Sequence, residues 1–85
     1  MLKLTATPDT PSVTLRAEGE LVERWVELMV EECRRLRVGS TALSLDLGGV
    51  TYVDSRGVEC LRALAADGVT LVRCPPLIQL MLDGD

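Results

Sequence analysis

The chain has 85 residues, of which 47% are hydrophobic and 26% are charged, and its formal net charge is −4 at pH 7. This length suits one hydrophobic core, so we expect residues 1–85 to form a single domain. The acidic balance argues against a nucleic-acid-binding protein, because such proteins cluster positive charge against phosphates. Only 2% of the residues are aromatic, which predicts a core built from leucine and valine.

The three cysteines, Cys33, Cys60 and Cys74, form an odd and unevenly spaced set, and the chain has no histidine. A zinc site is therefore not expected, and their apolar neighbours favour buried, reduced thiols. The N-terminus lacks the apolar segment of a signal peptide, and no apolar run approaches the roughly 20 residues of a membrane span. We expect a soluble cytoplasmic protein without a metal or a cofactor.

The first half of the chain predicts a β-hairpin followed by a long helix. Residues 1–6 suit a short strand, and turn-forming residues occupy 7–11. Residues 12–18 alternate apolar and polar side chains, which is typical of a half-buried strand. Residues 19–21 are expected to end that strand and to begin a helix that reaches about Arg37. Its apolar stripe at i, i+3 and i+4 spacing consists of Val22, Trp25, Val26, Met29, Cys33 and Leu36.

The second half begins with a stretch that reads Leu-Ser-Leu-Asp-Leu-Gly-Gly-Val-Thr-Tyr-Val-Asp-Ser-Arg-Gly. Alternation over residues 43–47 predicts a strand, which Gly48 and Gly49 are expected to break as a turn. An apolar approach over residues 50–53 then ends abruptly in Asp-Ser-Arg-Gly. A helix is predicted from about Arg56 to Ala66.

The remaining residues predict a strand over 69–73, a turn at Cys74-Pro75-Pro76 and a final helix with Pro76 in its first position. That helix is apolar on more than one face, so it either packs deeply or meets another subunit, which suggests a homodimer through the apolar C-terminal segment. The order of elements predicts a small α/β domain. Its mixed β-sheet has about four strands, and its helices pack mainly on one face.

Enzymatic activity is not expected from this sequence. Nucleophilic catalysis by Ser55 or a cysteine needs a positioned base, and no histidine is present. The only lysine is Lys3, and the chain has no Gly-x-x-x-x-Gly-Lys-Ser/Thr loop for nucleotide hydrolysis. A phosphorylated Asp54, as in response-regulator receiver domains, would require an acidic pair after the first strand and a late lysine. The chain has neither.

Two readings of the Asp54-Ser55 pair stay open. In the simpler one, either side chain caps the following helix by accepting a backbone N–H bond. In the other, Ser55 is a phosphorylation site, because a phosphoryl group there would meet free N–H groups and the positive end of the helix dipole. It would add about −1.5 to −2 charges, enough to disrupt a complementary interface. The two roles are compatible.

The stretch from residue 43 to 57 resembles the pattern of STAS domains, a family named for sulfate transporters and anti-sigma factor antagonists. That pattern is an apolar strand ending in Asp-Leu, a short turn, an apolar triplet and Asp-Ser-Ser/Thr-Gly. Asp46-Leu47 and Asp54-Ser55 keep its spacing. Gly19-Glu20-Leu21 is similar to the family's Gly-Glu-Leu-Asp element, and Cys74-Pro75-Pro76-Leu77 is similar to the turn before its third helix. The chain departs from the pattern at Arg56, where the family has a small hydroxyl residue, and at Val22, where it often has aspartate.

The resemblance implies an anti-sigma factor antagonist with Ser55 as the phosphoacceptor. In that family, the anti-sigma factor is itself a serine kinase, and it is bound by the unphosphorylated domain. The neighbours of the phosphosite, expected to dock the partner, are Asp54, Arg56, Gly57, Val58 and Glu59. The alternative is an accessory subunit of a lipid or anion transport complex, or of a larger signalling assembly, which docks on a transporter ATPase subunit through the same helix face.

Overall fold

The computed structural model describes residues 1–9, 11–39 and 42–84 of the chain. The described strands are β1 (Leu2–Asp9), β2 (Ser12–Leu21), β3 (Ala42–Val53) and β4 (Thr70–Val72). The described helices are α1 (Arg24–Val38), α2 (Ser55–Ala66) and α3 (Pro76–Asp83). The strands form one sheet in the order β1-β2-β3-β4, with β1 antiparallel to β2 and the other two pairs parallel. The predicted α/β class with a mixed four-stranded sheet is confirmed.

The core lies between the sheet and the helices, and it is aliphatic as predicted. Alternate residues of β2 and β3 turn their apolar side chains inward, since successive side chains of a strand point to opposite faces. Burying one such side chain contributes about 1.5–3 kcal/mol. The largest fully buried side chains are Leu15, Leu21, Met29, Leu45, Leu47, Leu61, Val26, Val53 and Cys33.

The predicted turn at residues 7–11 begins too early. β1 continues to Asp9, which pairs with Ser12. Pro8 lies inside β1, and this position is tolerated because β1 is an edge strand, where a missing N–H can face away from the sheet. Thr10, which belongs to the predicted turn, lies outside the described residues.

The predicted start of the long helix at residues 19–21 is also too early. β2 continues to Leu21, which is fully buried and pairs with Val53, so burial keeps this segment extended. α1 begins only at Arg24, after Glu23 adopts the unusual backbone angles φ 51° and ψ −127°. Val22 therefore lies in the link between β2 and α1. The predicted end of the helix is confirmed within one residue.

Gly48 and Gly49 do not break the strand. β3 runs through both, and its register with β2 shifts between the Arg16–Asp46 and Glu18–Gly49 pairs. Such a shift is a β-bulge, in which one strand takes an extra residue without ending. The backbone N–H of Gly48 donates to Asp46 Oδ1 at 2.9 Å, which fixes the chain within the bulge. The Gly-Gly pair therefore marks a bulge, and the predicted turn is wrong.

α3 begins with Pro76, as predicted, and buries Ile78. Arg62 of α2 holds the other end of α3, because its guanidinium donates to the main-chain oxygens of Met81 at 2.8 Å and Leu82 at 2.9 Å. The helix does not pack deeply on every face. Its exposed apolar side chains are Leu77, Leu80 and Met81.

The three cysteines are free thiols, but only Cys33 is buried as predicted. Its burial raises the pKa of the thiol to about 11, with a smaller contribution from the negative charge of Glu32. Cys60 and Cys74 are half-buried, because each lies at the margin of the core rather than inside it.

Candidate functional site at the start of α2

Asp54 caps α2 and links it to the segment between β2 and α1. Its Oδ1 accepts the backbone N–H of Gly57 at 2.7 Å, and its Oδ2 accepts that of Glu23 at 3.0 Å. The main-chain N–H of Asp54 donates to the oxygen of Leu21 at 3.2 Å. The N–H groups of Glu23 and Gly57 lower the pKa of the Asp54 carboxyl below its usual 3.8, because they stabilise the charged form.

Gly57 lets the first turn of α2 approach the sheet closely. A Cβ atom on this residue would lie 2.7 Å from the main-chain oxygen of Leu21 and 2.7 Å from Cγ1 of Val53. Both separations are well below van der Waals contact, so a larger side chain would push the helix end away from the strands. The glycine of the Asp-Ser-Arg-Gly run is therefore required by packing.

Ser55 is the first residue of α2, and it is exposed. Of the two candidate caps that the sequence left open, Asp54 is the one used. This changes the expectation that a phosphoryl group on Ser55 would meet free N–H groups. The N–H of Gly57 is bound by the Asp54 side chain, and that of Val58 donates to the Asp54 main-chain oxygen at 3.0 Å. A phosphate here would stand beside a carboxylate.

Arg56 points from α2 towards α1. Its Nη2 lies 3.5 Å from Oε1 of Glu27, and the two side chains are 60% and 59% exposed. An ion pair this exposed contributes little to stability, because water and salt screen it. Arg56 is thus held loosely, next to the serine that the sequence singled out.

Two of the predicted docking residues do not reach the surface. Gly57 and Val58 are buried, because the turn of α2 that carries them faces the sheet. Glu59 is exposed, and Asp54 is half-buried. We use the name Ser55 face for the remaining surface, which consists of Asp54, Ser55, Arg56 and Glu59.

An open apolar groove runs between α1 and α2 and begins beside the Ser55 face. Val30 and Cys60 line both a cavity of about 480 Å³ at the Arg56 end and one of about 510 Å³ that reaches Asp67, just past the end of α2. Glu27 lies at the Arg56 end too. Sequence reasoning missed Glu23 and Glu27 as site residues, because Glu23 donates its backbone N–H to Asp54 and Glu27 reaches Arg56 only once α1 packs beside α2. Glu27 lies on an amphipathic helix, and no sequence pattern marks its contact with Arg56.

A second carboxylate, that of Asp46 on β3, lies among positively charged side chains from neighbouring segments. Its Oδ1 is 3.1 Å from Nε of Arg73, and its Oδ2 is 3.2 Å from Nη1 of Arg16. The hydrogen bond from Arg73 is the main cause that lowers the pKa of Asp46 to about 2, and the Gly48 N–H adds to it. Arg73 adopts a positive φ of 52° at the end of β4. This cluster joins three strands and lies apart from the groove.

The described residues offer no arrangement suited to a metal ion, since no three Cys, Asp or Glu side chains converge within them. None of the helices in the described ranges is long and apolar enough to cross a membrane.

A scan against models of known protein families finds no match, and no curated protein matches the chain. The likeness to STAS domains therefore rests on the sequence pattern of residues 19–21, 43–57 and 74–77.

Proposed function

We propose that the chain is a protein-binding module of the STAS type, an anti-sigma factor antagonist regulated by phosphorylation of Ser55. The observation that carries this proposal is the exposed hydroxyl of Ser55 at the start of a helix that its neighbour Asp54 already caps. The hydroxyl can therefore be modified without the loss of the cap. In this proposal the chain acts in the cytoplasm and has no catalytic activity of its own.

The partner in this proposal is an anti-sigma factor that is also a serine kinase. The Ser55 hydroxyl oxygen attacks the γ-phosphorus of MgATP bound to that kinase. A new oxygen–phosphorus bond forms, the bond to the β-phosphate oxygen breaks, ADP leaves, and the hydroxyl proton passes to a base of the kinase. The product carries about −1.5 to −2 additional charges at the Ser55 face.

The Ser55 face and the groove beside it would together form the docking surface. The groove offers apolar area for a helix of the partner, and amphipathic helices commonly bind such grooves. The Ser55 face supplies charge at one end of it. New negative charge beside Asp54 would then weaken a contact formed by the unmodified protein, because desolvating a phosphate costs free energy that an interface must offset.

The test is to incubate the protein with candidate serine-kinase anti-sigma factors and MgATP, and to measure intact mass. We expect a gain of one phosphoryl group in the wild type and none in Ser55→Ala. A matched control is Thr70→Ala, which removes another exposed hydroxyl and should leave the gain unchanged. Calorimetry should then detect binding of the kinase by the unmodified protein and at least tenfold weaker binding by the phosphorylated one. Phosphorylation that persists in Ser55→Ala would contradict the proposal.

The second candidate is an accessory subunit of a transport complex that docks on an ATPase subunit through the same helix face. What supports it is the ion pair of Arg56 with Glu27, which balances the Glu27 charge at the start of the groove without any phosphate. In this case an ATPase subunit should bind wild type and Ser55→Ala equally well. A kinase-dependent loss of binding would rule this candidate out.

We also propose self-association through α3. Leu77 and Leu80 are each 69% exposed and lie on one side of the helix with Met81, an apolar surface that a second copy could cover. Sedimentation at two concentrations should reveal a dimer that Leu80→Gln dissociates. Val38→Gln, at an exposed apolar residue of α1, is the matched control and should leave the dimer intact. A concentration-independent monomer would overturn this proposal.

A further inference from the structure

We propose that Arg56 exchanges partners on phosphorylation. It pairs with Glu27 while Ser55 carries a free hydroxyl, and with the phosphate once Ser55 is phosphorylated. Modification of α2 thereby removes a link to α1 at the start of the groove. The inference rests on the proposed phosphorylation of Ser55, and it adds how the modification reaches a surface on the other helix.

The first step is that the Asp54 carboxylate already occupies part of the helix end that a phosphate would use. A phosphate at a helix start normally binds free N–H groups of the first turn. Here the Asp54 carboxylate accepts the N–H of Gly57 at 2.7 Å and carries a negative charge of its own. The phosphate of a modified Ser55 would therefore be repelled by its neighbour, and a cationic side chain nearby would offset that repulsion.

The second step is that Arg56 is the cation best placed to bind the phosphate. It follows Ser55 directly in the chain, and its side chain is 60% exposed and can reorient. Its present contact is a single approach of 3.5 Å to Glu27. A phosphate offers a guanidinium shorter, bidentate hydrogen bonds and up to twice the charge of a carboxylate. By contrast, Arg62 of the same helix is committed to the end of α3.

The third step is the effect on the groove. Glu27 and Arg56 line the same cavity, together with the apolar residues Val26, Leu28 and Val30. If Arg56 turns to the phosphate, Glu27 keeps its negative charge without a counter-ion, and α1 loses this contact with α2. The start of the groove, which Glu31 also lines, becomes more negative. A partner whose helix lies in the groove would meet this change even where it does not touch Ser55.

The test installs phosphoserine at position 55 during translation, so no kinase is needed. The second pKa of the phosphate is followed by phosphorus NMR in wild type, Arg56→Gln and Glu27→Gln. A nearby cation favours the dianion, so Arg56→Gln should weaken the acid, lowering its dissociation constant about threefold or more. Glu27→Gln should strengthen the acid, and this effect should shrink in the double variant. Arg35→Gln removes an exposed arginine that pairs with Glu32 outside this cavity, and it should leave the phosphate pKa unchanged.

A second measurement follows Arg56 itself. Nuclear Overhauser contacts between the Arg56 and Glu27 side chains should be present in the unmodified protein and absent in the phosphoserine form. Contacts that persist, or a phosphate acidity that Arg56→Gln leaves unchanged, would overturn the exchange. Because the phosphate is installed without a kinase, a failure here does not count against the proposed function. A failure of every kinase to modify Ser55 would count against that function alone.

Discussion

Asp46 and Asp54 come from the same stretch of sequence, and both have pKa values below the ordinary 3.8, but for different reasons. Asp46 is held mainly by the guanidinium of Arg73, with help from Arg16. Asp54 is held by the backbone N–H groups of Glu23 and Gly57. Asp46 is matched mainly by full positive charges, and Asp54 mainly by peptide N–H groups with a smaller contribution from the charge of Arg56.

The difference decides what each carboxylate can do. The negative charge of Asp46 is compensated by the arginines that bond to it directly. The cluster therefore stabilises the fold by linking β2, β3 and the end of β4. Asp54 is stabilised, but its charge is not cancelled by a directly bound cation. The negative charge of Asp54 therefore acts on Ser55. A phosphate on Ser55 would be stabilised by a cation from another side chain. This is why a change at Ser55 is expected to have effects beyond the residue itself.

The largest effect is expected from Asp46→Asn. A pKa lowered from 3.8 to about 2 corresponds to about 2 kcal/mol of stability at neutral pH. Because the Arg73 partner is 63% exposed, screening reduces the loss, and we expect about 1–2 kcal/mol by urea unfolding at pH 7. Glu59→Gln, at an exposed acid, is the control and should change stability by less than about 0.5 kcal/mol. An equally small loss in Asp46→Asn would mean that the cluster is not a structural tie.

The lowered pKa of Asp46 also predicts that the stability of the protein depends on pH. A carboxyl whose folded pKa is lowered stabilises the protein above its unfolded pKa, and this contribution is lost as the pH falls through the folded value. The Asp46 contribution should therefore be complete above about pH 5 and decline towards pH 2. Unfolding free energies measured across this range should fall less steeply in Asp46→Asn than in wild type. Parallel curves would contradict the assigned ion pairs.

The sequence predicted the architecture well and the electrostatic contacts poorly. Strand alternation and helical spacing are local patterns, so the element order, the Pro76 helix start and the cap at Asp54 or Ser55 could be read directly. The partners Glu23, Glu27 and Arg73 could not, since each reaches its carboxylate or guanidinium only after the strands and helices pack. The turn predicted at Gly48-Gly49 was wrong because glycine pairs suit both turns and bulges. Burial of the strand on either side of the pair favours the bulge.

A smaller loss is expected from Asp54→Ala. Removal of an N-cap carboxylate costs about 1 kcal/mol, and here it also leaves the Glu23 N–H without its acceptor. Asp54→Asn should cost less, because an amide oxygen can keep one of the two bonds. Thermal unfolding at pH 7 should therefore rank stability as wild type, Asn, Ala. If Ala equals wild type, the carboxylate does not hold the two segments together.

Glu23→Gly tests whether Asp54 acts by holding an unfavourable backbone. Glu23 has a φ of 51°, which glycine adopts readily and other residues do not. Strain of this kind costs about 1–3 kcal/mol, of which glycine's greater freedom in the unfolded chain offsets part. We expect Glu23→Gly to raise stability by about 0.5–1 kcal/mol, and Glu23→Ala to give no gain. A loss in Glu23→Gly would show that its side chain matters more than its backbone.

The smallest structural effect is expected from Ser55→Ala, which separates the role of Ser55 from that of Asp54. Asp54 supplies the cap and Gly57 the close packing, so the exposed Ser55 side chain contributes little to either. Urea unfolding should detect a change below about 0.5 kcal/mol, the usual range for a surface substitution. A substitution that leaves stability unchanged but abolishes phosphorylation would separate the role of Ser55 from that of its neighbour. A loss as large as that of Asp54→Ala would instead make Ser55 part of the helix cap, and its hydroxyl would no longer be free for modification.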